Sequence, residues 1–247
     1  MEELEIVGAP TPGGTGFQPA ATSLAEGIFF LDGFLNIIMA AIVVFVTVLM
    51  LYAVIRYRRS ANPTPATFTH NSKIEVAWTI IPVFILLFIG VFTLPELFRQ
   101  QEIPKGEVVI KVTGYQWYWN YGYVDHGFAF DSYMLEKEDL EEYGYTDDLY
   151  LLATDTAVVV PVGKTIVMNV TGGDVIHSWT IPAFGVKQDA VPGRIAQLWF
   201  KAEREGIYFG QCSELCGQLH AYMPITVKVV SQEAYEQWLV EAADEFG

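Results

Sequence analysis

The sequence predicts a membrane-anchored all-β protein, in which a two-helix transmembrane hairpin precedes an antiparallel β-sandwich or barrel that ends in a C-terminal helix. Three observations carry this reading. Two long stretches without a charged side chain, Phe34 to Ile55 and Val76 to Leu94, stand in the N-terminal part of the chain. After Arg99 the composition changes to short β-branched and aromatic segments separated by Gly, Pro and Asp. Of the 247 residues, 52% are hydrophobic and 17% charged, where an average soluble domain carries roughly 25% charged residues.

Residues 1–27 are rich in Gly, Pro, Ala and Thr and contain Glu2, Glu3, Glu5 and Glu26 but no Lys or Arg. They hold no signal-peptide core, so the chain is either already processed or exports a short tail unaided, and the processed form is the expectation. The stretch Phe34–Ile55 has only Asn36 and Thr47 as clearly polar members. As a helix it would reach about 33 Å, enough for a hydrocarbon core about 30 Å thick. The second stretch contains Pro82, and a proline inside a membrane helix implies a neighbouring helix that re-satisfies the backbone. A protein partner within the bilayer follows. The connecting loop holds Arg56, Arg58, Arg59 and Lys73, which places it in the cytoplasm and both termini outside. The alternative, two buried helices of a soluble core, needs an enclosing shell that the strand-like remainder could not supply. The expected division is an exported tail over 1–27, the hairpin over 28–98 and an outer domain over 99–247.

Strand-like segments follow at Val108–Val112, Ala157–Val160, Thr165–Val170, Ile195–Phe200 and Ile225–Val230, with turn signals at Pro161-Val162-Gly163 and Thr171-Gly172-Gly173. Short strands at this spacing form sandwiches or barrels. Ser231 is the expected N-cap of the closing helix, Glu233 falls in its first turn, and Ala234, Trp238 and Ala242 share one face. The run Glu136–Asp148, with Glu138, Asp139, Glu141, Glu142 and Asp147, is expected to be an exposed, partly helical insertion. The net charge is −15, and from Arg99 onward ten basic residues face 22 acidic ones, a net of −12. Such a surface repels phosphate backbones, which argues against nucleic acid, and favours a basic partner.

Chemistry concentrates in Gln211-Cys212-Ser213-Glu214-Leu215-Cys216-Gly217-Gln218-Leu219-His220-Ala221-Tyr222-Met223, which holds both cysteines of the chain, an imidazole and a thioether. Two cysteines make no disulfide framework. Thiolate, thioether and imidazole together suit copper better than calcium or magnesium, which prefer oxygen, and a lone thioether is unusual for zinc. The spacing matches neither a c-type haem attachment nor a zinc finger. A further ligand has to come from His70, His126 or His177. His70 lies in the cytoplasmic loop and His126 in a polar turn, whereas His177, in Asp174-Val175-Ile176-His177-Ser178-Trp179, occupies a strand-like stretch after a Gly-rich turn. A blue-copper site uses two His, one Cys and an axial Met; here one more Cys is present, as though two copper ions shared two sulfurs. A structural disulfide is the simpler alternative.

The two helices, Gly114-Tyr115-Gln116-Trp117-Tyr118-Trp119, Val175-Ile176-His177-Ser178-Trp179 and the Cys212–Met223 segment resemble subunit II of haem-copper cytochrome c oxidase over residues 17–240. Related quinol oxidase subunits lack the paired cysteines. The resemblance implies a cupredoxin-like β-barrel on the periplasmic side of a bacterial inner membrane, holding the dinuclear copper centre CuA. Cys212 and Cys216 would bridge both coppers, His177 and His220 would be the terminal imidazoles, Met223 a weak axial ligand and Glu214 a ligand through its backbone carbonyl. It further implies that the Glu214 side chain reaches a magnesium or manganese ion shared with subunit I, the subunit that carries haem and CuB. Trp117 would be the residue through which electrons enter from cytochrome c, Glu75 a carboxylate at the mouth of a proton channel, and Asp131 and Asp174 part of the cytochrome c docking face. One acidic position expected in that face is here Gly122. The implied activity is acceptance of single electrons from cytochrome c and their delivery to haem in subunit I, where oxygen is reduced to water and protons are pumped, with other oxidase subunits and the lipid bilayer as further partners.

Without the resemblance, the run Tyr115, Trp117, Tyr118, Trp119, Tyr121 and Tyr123 reads as packing or an interfacial belt, and Glu75 as a solvated charge at a helix start. Two other functions compete. A membrane-tethered copper chaperone or thiol oxidoreductase would show strands alternating with helices, as thioredoxin does, and a disulfide-bonded receptor domain would join the two cysteines. With four histidines in all, the chain lacks the set that haem and copper would demand for oxygen reduction, so that chemistry is expected in a partner.

Overall fold

A charge-free run can satisfy its backbone within hydrocarbon only as a helix. In the computed structural model, which describes residues 4–247, helix α1 spans Ser23–Arg56 and helix α2 spans Ser72–Gln101. Both outlast the apolar runs inside them, because capping groups and not hydropathy set their ends. Asn71 Oδ1 accepts from the Ile74 N–H at 3.4 Å while Glu75 Oε1 accepts from the Asn71 N–H at 3.1 Å, a reciprocal cap at the start of α2. The chain divides into two units, one of residues Phe29–Phe98 and one of Arg99–Gly247 with the segment up to Ile28. Within the first, the Phe34 ring meets Phe88 and Phe92 at centroid distances of 5.8 and 5.0 Å. α2 buries no residue, and helices apolar all round that their own chain leaves uncovered need lipid or protein around them.

The second unit is built of strands. β1 (Ile6–Gly8) belongs to the N-terminal segment; β2 (Val108–Tyr115), β3 (Tyr118–Tyr123) and β4 (Phe128–Ser132) form a meander; β5 (Val158–Pro161), β6 (Ile166–Gly172), β7 (His177–Ile181), β8 (Val186–Ala190), β9 (Ala196–Phe200), β10 (Gly206–Gln211) and β11 (Pro224–Val230) follow, then helix α3 (Gln232–Phe246). They assemble into sheets of order β1-β10-β11-β5 and β4-β3-β2-β6-β9 with a β7-β8 ribbon. The expectation of an antiparallel sandwich needs correcting: β1 with β10, β11 with β5, and β2 with β6 are parallel pairs. Parallel partners are joined by long crossovers, and local turn signals say nothing about them.

The segment before α1 is integral to this unit. β1 pairs with β10, and Ala21 and Leu24 enter the main core beside Trp179, Phe184 and Tyr208. Thr22 caps α1, accepting from the Ala25 N–H at 3.0 Å, and its hydroxyl donates to the Phe184 carbonyl at 2.7 Å. The run Glu136–Asp148 forms turns rather than a helix, with one short 3-10 stretch at Asp147–Leu149. Its acids are exposed, while Leu135, Leu140, Tyr145 and Leu149 pack with Ile207 and Phe209 into a second small core. At the C-terminus Ser231 Oγ accepts from the Ala234 N–H at 3.2 Å, and Trp238 meets Tyr123 edge-on at 5.0 Å.

Thr22 is 2% exposed, so Thr22→Ala removes a cap and leaves a buried carbonyl without its donor, at an expected cost of about 2 kcal/mol. Thr22→Ser keeps the hydroxyl and should stay near wild type. Chemical denaturation of the intact protein, followed by tryptophan fluorescence, checks both; equal midpoints for the two variants would reject the double role of Thr22.

Candidate metal centre

β10 and β11 pair antiparallel to the register Gln211↔Pro224, so the chain from Cys212 to Met223 leaves and rejoins the sheet at one place. The Cys212 N–H donates to the Met223 carbonyl at 3.3 Å, and the Ser213 N–H donates to the Ser178 carbonyl at 2.9 Å, stitching the loop to β7. A short 3-10 turn at His220–Tyr222 returns the chain toward Cys216. His177, the first residue of β7, pairs with Ala190 of β8. Gly114 makes room for it, since a Cβ there would lie 2.9 Å from the imidazole ring.

These elements bring together every ligand expected from the sequence. The two Sγ atoms are 3.8 Å apart and both cysteines are free. That is far beyond the disulfide length of about 2.05 Å. It is close enough for one metal ion, at about 2.3 Å from a thiolate, to touch both sulfurs. His177 Nδ1 lies 3.9 Å from Cys212 Sγ, and His220 Nδ1 lies 3.5 Å from Cys216 Sγ. The Glu214 carbonyl stands 3.3 Å from Cys212 Sγ, and Met223 Sδ stands 3.4 Å from Cys216 Sγ. Two imidazoles and two weaker donors therefore surround the pair of sulfurs, His177 and the Glu214 carbonyl nearer Cys212, His220 and Met223 nearer Cys216. Donor atoms of His177, Cys212 and Cys216 lie within 4.8 Å of one another, all three residues being buried.

The two thiols differ electrostatically. Burial opposes ionisation of Cys212, but the His177 imidazole and the Glu214 and Ser178 backbone groups outweigh it and bring the thiol down to about 7. Cys216 is pushed up to about 12, first by burial and then by the charge of Cys212. Burial pulls His177 down, yet the Cys212 thiol and the Asp174 carboxylate carry it above the ordinary imidazole value. Desolvation works against the Asp174 carboxylate too. Bonds from His177 Nε2 at 2.9 Å and from the Val175 and Gln116 N–H groups hold it below the usual carboxylate range.

The donor set fits a soft metal pair. Two thiolates, two imidazoles and a thioether suit copper, and Asp174 on His177 Nε2 is the outer partner that fixes ring orientation and leaves Nδ1 for the metal. Strand succeeds strand in this unit, which removes the thioredoxin-like alternative, and the separated sulfurs remove the disulfide-bonded one.

Trp117 sits with Gln116 at the tip of the β2–β3 hairpin, half-buried. Asp131, exposed on β4, accepts from Asn120 Nδ2 at 2.8 Å and from the Tyr133 hydroxyl at 3.4 Å. Gly122 lies on β3 beside Lys111 and Ala129. His126 is exposed in a short turn and His70 is exposed in the loop between the helices, so neither joins the cluster. Glu75 caps α2 in the other unit. Two contributors escaped the sequence reading. Trp119, fully buried, donates from Nε1 to the Met223 carbonyl at 3.3 Å and lies edge-on to His177 at 5.9 Å. Asp174, expected only at a docking surface, is also the His177 partner; its position three residues before the histidine was the available signal.

Residues 108–230 match the family model described as cytochrome c oxidase subunit II, periplasmic domain, and residues 10–95 match that of its transmembrane domain. The chain is 62% identical to cytochrome c oxidase subunit 2 of Cereibacter sphaeroides, over 98% of this chain and 84% of the relative. It is 43% identical to the probable cytochrome c oxidase subunit 2 of Rickettsia bellii, over 93% of this chain and 84% of that one. Among solved structures, the periplasmic domain of subunit II of cytochrome oxidase from Bradyrhizobium japonicum aligns with a TM-score of 0.53 and 47% identity, covering 59% of this chain and 99% of the other. A subunit II domain captured as a mixed disulfide with a thioredoxin-like protein aligns at a TM-score of 0.51 with 46% identity, over 59% and 97% of the two chains.

Replacing Cys216 by Ser removes one of the two sulfurs that a metal pair placed here would share. The intact protein should then lose its mixed-valence dicopper signal in paramagnetic resonance while both helices still insert into the membrane, and an unaltered signal would reject bridging by both sulfurs.

Proposed function

The chain belongs to the cytochrome c oxidase subunit II family, and on that premise we propose that Trp117 receives single electrons from a basic cytochrome c and hands them to the Cys212–Met223 loop. As a member it is the electron-input subunit of a terminal oxidase, and it carries two membrane-spanning helices. The observation that carries the reading is the donor set gathered round the two sulfurs: His177, the Glu214 carbonyl, His220 and Met223, each within 4 Å of Cys212 or Cys216 Sγ. When bound there, a dicopper centre supplies one-electron redox chemistry shared over two metals and two sulfurs.

The chain's own residues supply rigidity, orientation and recognition. Cys212 and Cys216, 6% and 3% exposed, keep water from the sulfurs. Asp174 holds His177 by Nε2, and Trp119 holds Met223 by its carbonyl. The exposed Glu214 side chain, next to the ligand cluster, is assigned to a magnesium or manganese ion shared with subunit I. Asp131 and Asp174, on a domain of net charge −12, are assigned to the docking of cytochrome c. Glu75, at the start of α2 beside the basic loop, is assigned to the mouth of a proton channel, which puts that loop on the cytoplasmic side and both termini with the copper domain in the periplasm. Before metal binds, the lowered pKa of Cys212 makes it the more reactive thiol.

Turnover of the assembled oxidase with cytochrome c is expected to fall as ionic strength rises through the range where the Debye length shrinks from about 30 to 8 Å. Asp131→Asn should raise KM several-fold at low salt with kcat unchanged; Asp131 suits this test because, unlike Asp174, it bonds no ligand. A flat salt profile together with an unchanged KM would reject electrostatic docking.

A further inference from the structure

Gln116 is the only side chain of the β2–β3 hairpin tip besides Trp117, and it reaches both ligand-bearing segments. Its Nε2 donates to the carbonyl of Cys216 at 2.8 Å, and its backbone N–H donates to Asp174 Oδ2 at 2.8 Å, whose other oxygen holds His177. Next to Cys216, Gly217 adopts φ +123°, and a Cβ built there would lie 3.2 Å from the six-membered ring of Trp117, 3.4 Å from its Nε1 and 3.0 Å from Gln116 Nε2. The Trp117 ring therefore lies against the bare backbone of the metal loop, one residue from a bridging sulfur. Its Nε1 is buried and has no hydrogen-bond partner among the described residues, so contact and not a bond of its own sets where the indole lies.

We propose that Gln116 is a positioning residue that clamps the Trp117 indole onto Gly217, so that electrons enter the metal loop across the Trp117–Gly217 contact beside Cys216. The inference rests on the reading of Trp117 as the point of electron input. Electron transfer through a protein falls steeply with each through-space gap. The Gln116–Cys216 bond fixes the loop peptide beside the indole, and residue 217 has no side chain to push the ring away. A hydrogen bond to the loop carbonyl also fixes the hairpin tip to the same peptide that carries the ligand, so loop and indole move together. No ionisable group takes part in either contact.

The test uses the assembled oxidase with Gln116→Leu, Gly217→Ala and Trp117→Phe. Three quantities are measured: copper content with the mixed-valence resonance spectrum, KM for cytochrome c, and the single-turnover rate from a photoreduced cytochrome already bound. Gln116→Leu and Gly217→Ala should keep copper, spectrum and KM while the single-turnover rate falls about tenfold, and Gln116→Leu should speed hydrogen exchange over residues 212–223. A rate within twofold of wild type with the spectrum retained overturns the proposal. Loss of copper in Gln116→Leu also overturns it, by showing that the amide serves the loop and not the indole, and so does a raised KM with an unchanged bound-state rate. If Trp117→Phe leaves the rate unchanged, the reading of Trp117 itself fails; if it slows the rate while the other two variants do not, only the clamp fails.

Discussion

The chemistry of this protein depends on one separation, the 3.8 Å between Cys212 Sγ and Cys216 Sγ. The base of the loop places Cys212, where β10 and β11 run in register to Gln211↔Pro224 and the Cys212 N–H meets the Met223 carbonyl, and the Gln116 amide on the Cys216 carbonyl helps to place the second sulfur. Slipping this ladder by one residue would turn Tyr208, Phe209, Ile225 and Val227, all 0–1% exposed, out of step with the core. The register is thus protected by buried area far from the sulfurs. A ligand loop anchored this way resists rearrangement when charge arrives, as one-electron transfer requires.

Burial creates a second constraint, because two thiolates, two imidazoles and no neighbouring cation must share a dry site. The structure answers with asymmetry. Cys212 faces a protonatable imidazole and two backbone groups that pull its thiol down, whereas burial and the charge of Cys212 push the Cys216 thiol up. Asp174 joins this network to the surface: one carboxylate oxygen holds His177 and the other the Gln116 N–H, while the side chain is a third exposed. The residue proposed for the docking face is thus also the outer partner of His177.

Much of this was legible in the sequence where the signal is local. The hairpin helices contain the charge-free runs, the five expected strands fall on β2, β5, β6, β9 and β11 with ends that differ by up to three residues, and the ligands cluster as the donor types suggest. Other features have no local signal. β3 went unread because Tyr118–Tyr123 looks like an aromatic belt, although its alternate residues Trp119, Tyr121 and Tyr123 point into the core. β1 is three residues whose only partner, β10, lies some two hundred positions away. The acidic run suggested a partly helical insertion, yet Leu135, Leu140 and Leu149 fold it down onto Ile207 and Phe209 as turns, with a single 3-10 stretch at Asp147–Leu149. The bonds of Gln116 and Asp174 join residues up to a hundred positions apart, and spacing cannot reveal such pairs.

The acidic surface and the contacts of the hairpin tip meet at Asp174, whose carboxylate accepts from the Gln116 N–H. Among the described residues no Asp, Glu, Lys or Arg is buried, so the excess of acids lies at the surface, where its field would draw the proposed basic partner and is screened by salt. The contacts that would govern the speed of transfer, Trp117 on Gly217 and Gln116 on Cys216, involve no charged group. Salt can then weaken the encounter without altering the transfer that follows it. Had the indole been held by an ion pair instead of an amide, every change in ionic strength would alter both steps together. Separating them lets a strongly acidic surface serve recognition while a neutral clamp preserves a fixed route inward.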